Sequence, residues 1–155
     1  MNLIFLNYSF DNFFNMKKLL LLLSFSFFIF GCSKDKFNNS NPYLPNYSFS
    51  IDINTSLPSY SGLDFSGNAI KAYPANGPLK GIIVFNTGSG YMAFDGSCPN
   101  QTITSCSTLT ISGGTATCSC ESATYSLFTG QCPGKQYPLK QYKVDVNGSV
   151  LRVYN

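Results

Sequence analysis

The chain has 155 residues, a formal net charge of +3 and 44% hydrophobic residues, which is enough for one compact core. It contains six cysteines and no histidine. Without histidine, serine–histidine and cysteine–histidine catalysis are excluded, and no catalytic residue is predicted. The basic residues form no clustered patch, so no nucleic-acid partner is expected.

The first segment with a clear pattern is an export signal at residues 16–33. Two lysines precede a twelve-residue, largely apolar run that is too short for a membrane-spanning helix. The run ends in Gly31-Cys32, which resembles the lipobox of bacterial lipoproteins, where the cysteine receives the lipid. This resemblance implies that residues 1–31 are an upstream extension followed by a signal peptide, and that Cys32 carries the anchor.

Residues 32–46 are polar, rich in asparagine and interrupted by prolines, which is typical of a flexible tether. Together with the lipid on Cys32, this tether predicts a domain anchored to a membrane of the cell envelope, facing the periplasm or the surface. Disulfides form in such a compartment. The expected partners are the membrane and an envelope protein that the sequence does not identify.

From residue 47 onward, alternation and turn residues indicate strands, and no segment shows helical periodicity. Strands are predicted at 47–53 and 123–131, and hairpins at 80–96, 107–120 and 141–155, the last with Asn147-Gly148 as a type I′ turn. The alternation places four aromatic residues in the core, namely Phe85, Phe94, Tyr125 and Phe128. Strands at this spacing predict an all-β sandwich or barrel over residues 47–155.

The predicted β domain carries five cysteines, which are Cys98, Cys106, Cys118, Cys120 and Cys132. In an exported domain they favour disulfides, with one thiol left over because five is an odd number. A metal site is the alternative, since the same cysteines have ligand-like spacing. A disulfide-exchange role for Cys118 and Cys120 would need a lowered thiol pKa, and the sequence offers neither a helix terminus nor a base to lower it.

The cysteine spacing resembles that of Rieske ferredoxins. "CPN" at 98–100 is separated by seventeen residues from "CSCE" at 118–121, where the family has Cys-x-His and Cys-x-x-His. "SLFTGQC" and the terminal hairpin are similar to the family as well. The resemblance covers residues 80–155 well and 47–79 weakly. It implies a Rieske-like antiparallel β-sandwich or barrel with two cysteine-bearing loops and little or no helix.

Carried over by position, the resemblance places Cys98 and Cys118 at the cysteine ligands of a [2Fe–2S] cluster, and Asn100 and Glu121 at the two histidine ligands. Neither an amide nor a lone carboxylate replaces an imidazole at iron. No standard Rieske cluster is therefore expected, and no metal or other cofactor. The alternative is a [2Fe–2S] cluster or zinc bound by the thiolates of Cys98, Cys106, Cys118 and Cys120.

By the same resemblance, Cys106 and Cys120 take the positions of the disulfide that some Rieske proteins carry. Such a bond closes a loop of about fifteen residues and stabilises by about 3 kcal/mol. Cys98 and Cys118, whose positions would approach one iron, are candidates for a second disulfide in its absence. Cys132 is then a free thiol or an alternative partner of Cys98.

These patterns predict a lipid-anchored, non-enzymatic protein with a Rieske-like domain and a structural or binding role. The first alternative is a [2Fe–2S] electron-transfer domain of the Rieske ferredoxin type, serving an oxidoreductase system. The second alternative is a zinc-binding or thiol-active envelope protein.

Overall fold

The computed structural model describes residues 39–155. The predicted signal segment, Cys32 and the first part of the predicted tether lie outside these residues. Within them, no helix is long and apolar enough to cross a bilayer. The helical element in this part of the chain is a short 3₁₀ turn, Ser61–Asp64.

Nine antiparallel strands form the sheets of the described part of the chain. They are β1 (Ser50–Asn54), β2 (Ala69–Ala72), β3 (Ile82–Asn86), β4 (Tyr91–Asp95), β5 (Leu109–Ser112), β6 (Thr115–Cys118), β7 (Ala123–Ser126), β8 (Gln141–Asn147) and β9 (Val150–Tyr154). One sheet has six strands in the order β1-β9-β8-β4-β3-β2, and the other has three in the order β5-β6-β7. The predicted all-β class is confirmed, and the two sheets with their cysteine-bearing loops are consistent with the Rieske-like fold that the resemblance implies.

Both faces of β3 are buried, which explains why its sequence is an unbroken apolar run. Ile83 and Phe85 belong to a core shared with the three-stranded sheet. Ile82 and Val84 belong to a second core, formed with residues of β1, β8 and β9. All four side chains are completely buried. This strand therefore joins the two cores.

The structure corrects the predicted end of β7. The strand ends at Ser126, whose N–H donates to the carbonyl of Gln131, rather than continuing to residue 131. Alternation therefore does not extend to Phe128, which is 52% exposed and packs edge-on against Phe85 instead of lying in the core. The other three aromatic residues predicted for the core are buried.

The last turn and the second strand also differ from the prediction. Asn147 pairs with Val150, so the two central residues of the turn are Gly148 and Ser149. Of these, Gly148 has a positive φ of 60° and Ser149 does not, which is the pattern of a type II′ turn rather than type I′. Strand β2 was not predicted, because its four residues lie at the sheet edge and show no clear alternation.

Residues 41–46, which the sequence assigns to the tether, pack onto the β domain. The side-chain amide of Asn41 donates to the carbonyl of Pro99 at 2.9 Å. The ammonium group of Lys140, itself buried, donates to the carbonyl of Pro45 at 2.8 Å. These contacts extend the packed domain to the N-terminal side of its predicted boundary.

Asp95, the last residue of β4, is a carboxylate inside the protein and is only 1% exposed. Its two oxygens accept hydrogen bonds from the Tyr142 hydroxyl and the Ser97 N–H, each at 2.8 Å. Burial raises the pKa of Asp95 above the ordinary value of 3.8, although these hydrogen bonds and the charge of Lys140 act in the opposite direction.

The raised pKa of Asp95 sets the sign of its contribution to the pH dependence of stability. At a pH between the ordinary pKa of 3.8 and the raised pKa of the folded state, Asp95 binds more protons in the folded state than in the unfolded state. Its contribution to the free energy of unfolding is therefore present at low pH and is lost as the pH rises through this window. We therefore expect the wild type to gain stability relative to Asp95→Asn when the pH is lowered from neutral to mildly acidic. Urea unfolding of both proteins across that range checks this, and a pH-independent difference would contradict it.

Candidate functional site

Three loops meet at one end of the three-stranded sheet and form the candidate site. The first cysteine loop, residues 96–108, connects β4 to β5, and the second, residues 119–122, connects β6 to β7. The third loop, residues 127–140, connects β7 to β8. Disulfides, hydrogen bonds and an ion pair link each loop to the other two.

Two disulfides join the first cysteine loop to the second loop and to the end of β6. The inner disulfide, Cys98–Cys118, has both residues fully buried, and the outer disulfide, Cys106–Cys120, has an exposed Cys106 and a half-buried Cys120. The predicted pairing is confirmed. Cys98 is held further by its N–H, which donates to the carbonyl of Ser107 at 2.8 Å.

The sulfur atoms of the two disulfides lie close together. The Sγ atoms of Cys98, Cys118 and Cys120 all lie within 4.8 Å of one another. Three thiolates at such distances have the spacing of ligands to one soft metal ion, but sulfur atoms paired in disulfides offer no thiolate. The three cysteines could therefore bind a metal only with both disulfides reduced. With the disulfides formed, the Cys120 sulfur of the outer bond lies within 4.8 Å of both sulfur atoms of the inner bond.

Asn100, at the first histidine position of the resemblance, ties the first cysteine loop to the third loop. Its Nδ2 donates to the carbonyl of Tyr137 at 2.8 Å, and its Oδ1 accepts from the Tyr137 N–H at 2.9 Å. The same Nδ2 donates to the Tyr125 hydroxyl at 2.9 Å. Three hydrogen bonds therefore occupy the amide, and each stabilises the contact between loops.

Glu121, at the second histidine position, ties the second loop to the third. Its Oε2 forms an ion pair with the Lys135 ammonium at 2.6 Å, and its side chain is only 12% exposed. Its other oxygen, Oε1, is buried, and none of residues 39–155 donates a hydrogen bond to it. A partly buried, charge-assisted pair of this kind is stronger than an exposed one. The sequence assigned Glu121 by resemblance but did not reveal Lys135 as its partner.

Tyr125 lies buried between the loops, with its hydroxyl at Asn100. Burial raises the pKa of Tyr125 to about 12, and the negative charges available at Glu121 and Cys132 add to this rise, whereas the hydrogen bond from Asn100 opposes it. The phenol therefore stays neutral at physiological pH. The sequence placed Tyr125 in the core, correctly, but gave no signal for its polar contact.

Two hydroxyl groups lie beside the outer disulfide, and the sequence gave no sign of either. Thr104 Oγ1 lies 3.4 Å from the Sγ of Cys106 and 3.7 Å from that of Cys120. Ser107 Oγ lies 3.9 Å from the Cys120 sulfur. Serine and threonine are common in loops, so their types alone do not mark this position.

Cys132 is the free thiol among the five cysteines of the described residues, as predicted. It is half-buried in the third loop and packs at the edge of the core that contains the inner disulfide. Its alternative assignment as partner of Cys98 is wrong, because Cys98 pairs with Cys118.

No family model and no curated protein matches the chain. Fourteen chains of solved structures are similar to it, among them the following three. A complex of reduced oxygenase and oxidized ferredoxin in carbazole 1,9a-dioxygenase has 16% identity and a TM-score of 0.45, covering 74% of this chain and 94% of that one. A putative NADH-dependent nitrite reductase small subunit from Mycobacterium tuberculosis has 13% identity and a TM-score of 0.44, covering 71% and 97%.

The third structure is a putative nitrite reductase NADPH (small subunit) oxidoreductase protein. It has 19% identity and a TM-score of 0.40, covering 61% of this chain and 93% of that one. Likenesses at this level concern the fold alone and say nothing of what the present chain binds.

Proposed function

We propose that this chain is an exported, lipid-anchored envelope protein whose Rieske-like domain is cross-linked by two disulfides and holds no iron–sulfur cluster. Its role is structural or binding rather than catalytic. The observation that carries this proposal is that each residue at a cluster-ligand position is engaged within the protein. Cys98 is bonded to Cys118, Asn100 holds the third loop, and Glu121 is paired with Lys135.

The residues present do not fit a standard Rieske cluster, which needs two imidazoles on one iron. The chain has no histidine. For Asn100 to ligate iron through its amide oxygen, that oxygen would have to give up the hydrogen bond from the Tyr137 N–H, and the amide is a weak donor to the metal. Glu121 would likewise have to leave its ion pair, and its charge would differ from that of imidazole.

The competing function is electron transfer or metal binding on four thiolates, and the closeness of three sulfur atoms is the observation that favours it. Expression of residues 33–155 in an oxidising compartment, followed by assays of iron, zinc, sulfide, visible absorbance and free thiols, separates the two. We expect no stoichiometric metal and about one free thiol per chain, since five cysteines leave one unpaired. A coloured protein with stoichiometric iron and sulfide would overturn the proposal, and stoichiometric zinc would support the second alternative.

A binding role would involve a large partner rather than a small molecule. A groove of about 140 Å³ lies beside the third loop, lined in part by Asn41, Tyr137 and Lys140. A second groove of about 260 Å³ lies along β1, β8 and β9, lined by residues that include Asp52 and Arg152. Both are smaller than the roughly 300–1,000 Å³ of typical ligand pockets. An envelope protein partner therefore suits this surface better than a small ligand.

The lipid anchor makes a separate prediction. Cys32→Ala is expected to move the protein from the membrane fraction to the soluble fraction, because the thiol that receives the lipid is removed. The neighbouring substitution Ser33→Ala serves as the matched control and should leave the protein with the membranes. Fractionation of cells with detection of the protein in each fraction is the measurement. A Cys32→Ala variant that stays with the membranes would show that the anchor lies elsewhere.

A further inference from the structure

We propose that the two neighbouring disulfides form a thiol–disulfide exchange site that accepts electrons from an external dithiol, such as that of a dithiol oxidoreductase. Electrons enter at the outer disulfide and pass through Cys120 to the inner one. This activity goes beyond the structural role of the two bonds and does not depend on the lipid anchor.

The solvent exposure of the cysteines determines which disulfide an external thiolate attacks first. Cys106 is exposed to solvent, whereas both residues of the inner disulfide are completely buried. A thiolate from another molecule can therefore reach the Cys106 sulfur but not the inner disulfide directly, and access decides which sulfur is attacked. The leaving group in that step is Cys120, which lies deeper in the loop cluster.

The two hydroxyls beside the outer disulfide suit Cys120 as a leaving thiolate. Ser107 Oγ accepts hydrogen bonds from the Thr104 N–H and the Gln101 side chain, at 2.8 and 2.9 Å. With those acceptor positions filled, its proton is available to the Thr104 hydroxyl, the Thr102 carbonyl or the Cys120 sulfur, at 3.1, 3.3 and 3.9 Å, and a Thr104 hydroxyl that accepts from Ser107 keeps its own proton for the sulfur atoms. Hydrogen bonds to a thiolate favour the charged form and lower the pKa of the thiol, which speeds its departure. These donors replace the base or helix terminus that the sequence lacks.

The distance between sulfur atoms allows the second step. With the outer disulfide closed, the Cys120 sulfur already lies within 4.8 Å of both sulfur atoms of the inner disulfide, so the thiolate that forms when the outer bond opens starts close to them. Attack on one of them forms a new disulfide to Cys120 and releases the other as a thiolate. This internal step moves no net electrons, but it places a buried cysteine in a disulfide with Cys120, which is half-buried rather than completely buried.

The chemistry balances without any further co-reactant. The first thiolate of the dithiol attacks the Cys106 sulfur, forming a mixed disulfide and breaking the bond to Cys120. The second thiolate of the reductant attacks its own sulfur in the mixed disulfide and releases Cys106. Two electrons and two protons pass to the protein, and the dithiol leaves as a disulfide. A second dithiol attacks the Cys120 sulfur of the remaining bond, releases the buried cysteine as a thiol, and then closes its own disulfide and releases Cys120.

The test follows each cysteine in the full-length protein, purified in mild detergent. The protein is treated without oxygen with graded dithiothreitol, quenched with acid, alkylated, and then reduced and alkylated with a heavy label for peptide mass spectrometry. In the wild type we expect Cys106 and Cys120 to be labelled first, followed by Cys98 or Cys118. In Cys106→Ser/Cys120→Ser, reduction of the inner disulfide should slow by about tenfold or more, because its route is removed.

Equal rates of inner reduction in the two proteins would overturn the proposal, as would a wild type in which the outer disulfide opens and the inner one never follows. If the double variant does not fold, the wild type alone decides, because labelling of both Cys98 and Cys118 while Cys106 and Cys120 stay unlabelled is incompatible with this route. Thr104→Val should slow opening of the outer disulfide several-fold by removing a hydroxyl. Thr110→Val, on the exposed face of β5, is the matched control and should leave the rate unchanged.

Discussion

Replacing Cys98 and Cys118 together by alanine is expected to lower the free energy of unfolding by about 3 kcal/mol. The two residues are separated by 20 positions, and the bond between them restricts the unfolded chain. Both residues are completely buried, so their removal also takes packed atoms out of the core. A loss of this size is a large fraction of the roughly 5–15 kcal/mol that stabilises a typical domain.

Urea unfolding of the oxidised full-length protein measures this loss. Cys132→Ala is the matched control, since Cys132 is half-buried but forms no disulfide, and its effect should stay within about 1 kcal/mol. Wild-type protein unfolded in excess reductant should approach the stability of the double variant or fall below it. An unchanged midpoint in the double variant would show that the inner disulfide does not form in solution.

Asn100→Ala is expected to cost about 2 kcal/mol of stability, although the residue lies in a loop and is only partly buried. The substitution leaves the Tyr137 N–H and carbonyl and the Tyr125 hydroxyl without their partner. The third loop should then open more readily, because this amide is its main hydrogen-bonded link to the first cysteine loop.

Two measurements check the effect of Asn100→Ala. Urea unfolding gives the loss of stability, and amide hydrogen exchange should show faster exchange at Tyr137 than in the wild type. Gln136→Ala is the matched control, because Gln136 is exposed in the same loop and its side-chain amide donates to the hydroxyl of Tyr137 rather than to its backbone. Its effect should stay within about 0.5 kcal/mol. If both variants lose the same stability, Asn100 does not have the role assigned to it.

The strands that were predicted correctly are those whose local sequence carries a clear signal, either an apolar pattern that reflects burial or a turn dipeptide. The continuous apolar run of β3 reflects burial on both faces, and the Asn-Gly dipeptide near residue 147 marked the last hairpin. The turn type was wrong because it depends on strand register, which places Gly148 and Ser149 at its centre. Strand β2 escaped prediction because an edge strand needs only one partner and little apolar surface.

The candidate site was predicted in its covalent part and missed in its polar part. The cysteine pairs followed from the resemblance, because the spacing of cysteines in two loops is a property of the sequence. Lys135, Tyr137, Thr104 and Ser107 could not be assigned in this way. Each is a common loop residue, and its role depends on contacts between loops that are remote in sequence.

The sequence by itself determined the all-β class, the position of the cysteines and the absence of any histidine for a standard Rieske cluster. These are matters of composition and local pattern, which do not depend on how the segments meet. The tertiary structure alone decided that Asn100 and Glu121 bind other loops and that two disulfides lie within reach of one another. The physical reason is that hydrogen bonds, ion pairs and sulfur contacts act over a few ångströms, and only the packed sheets bring these loops so close.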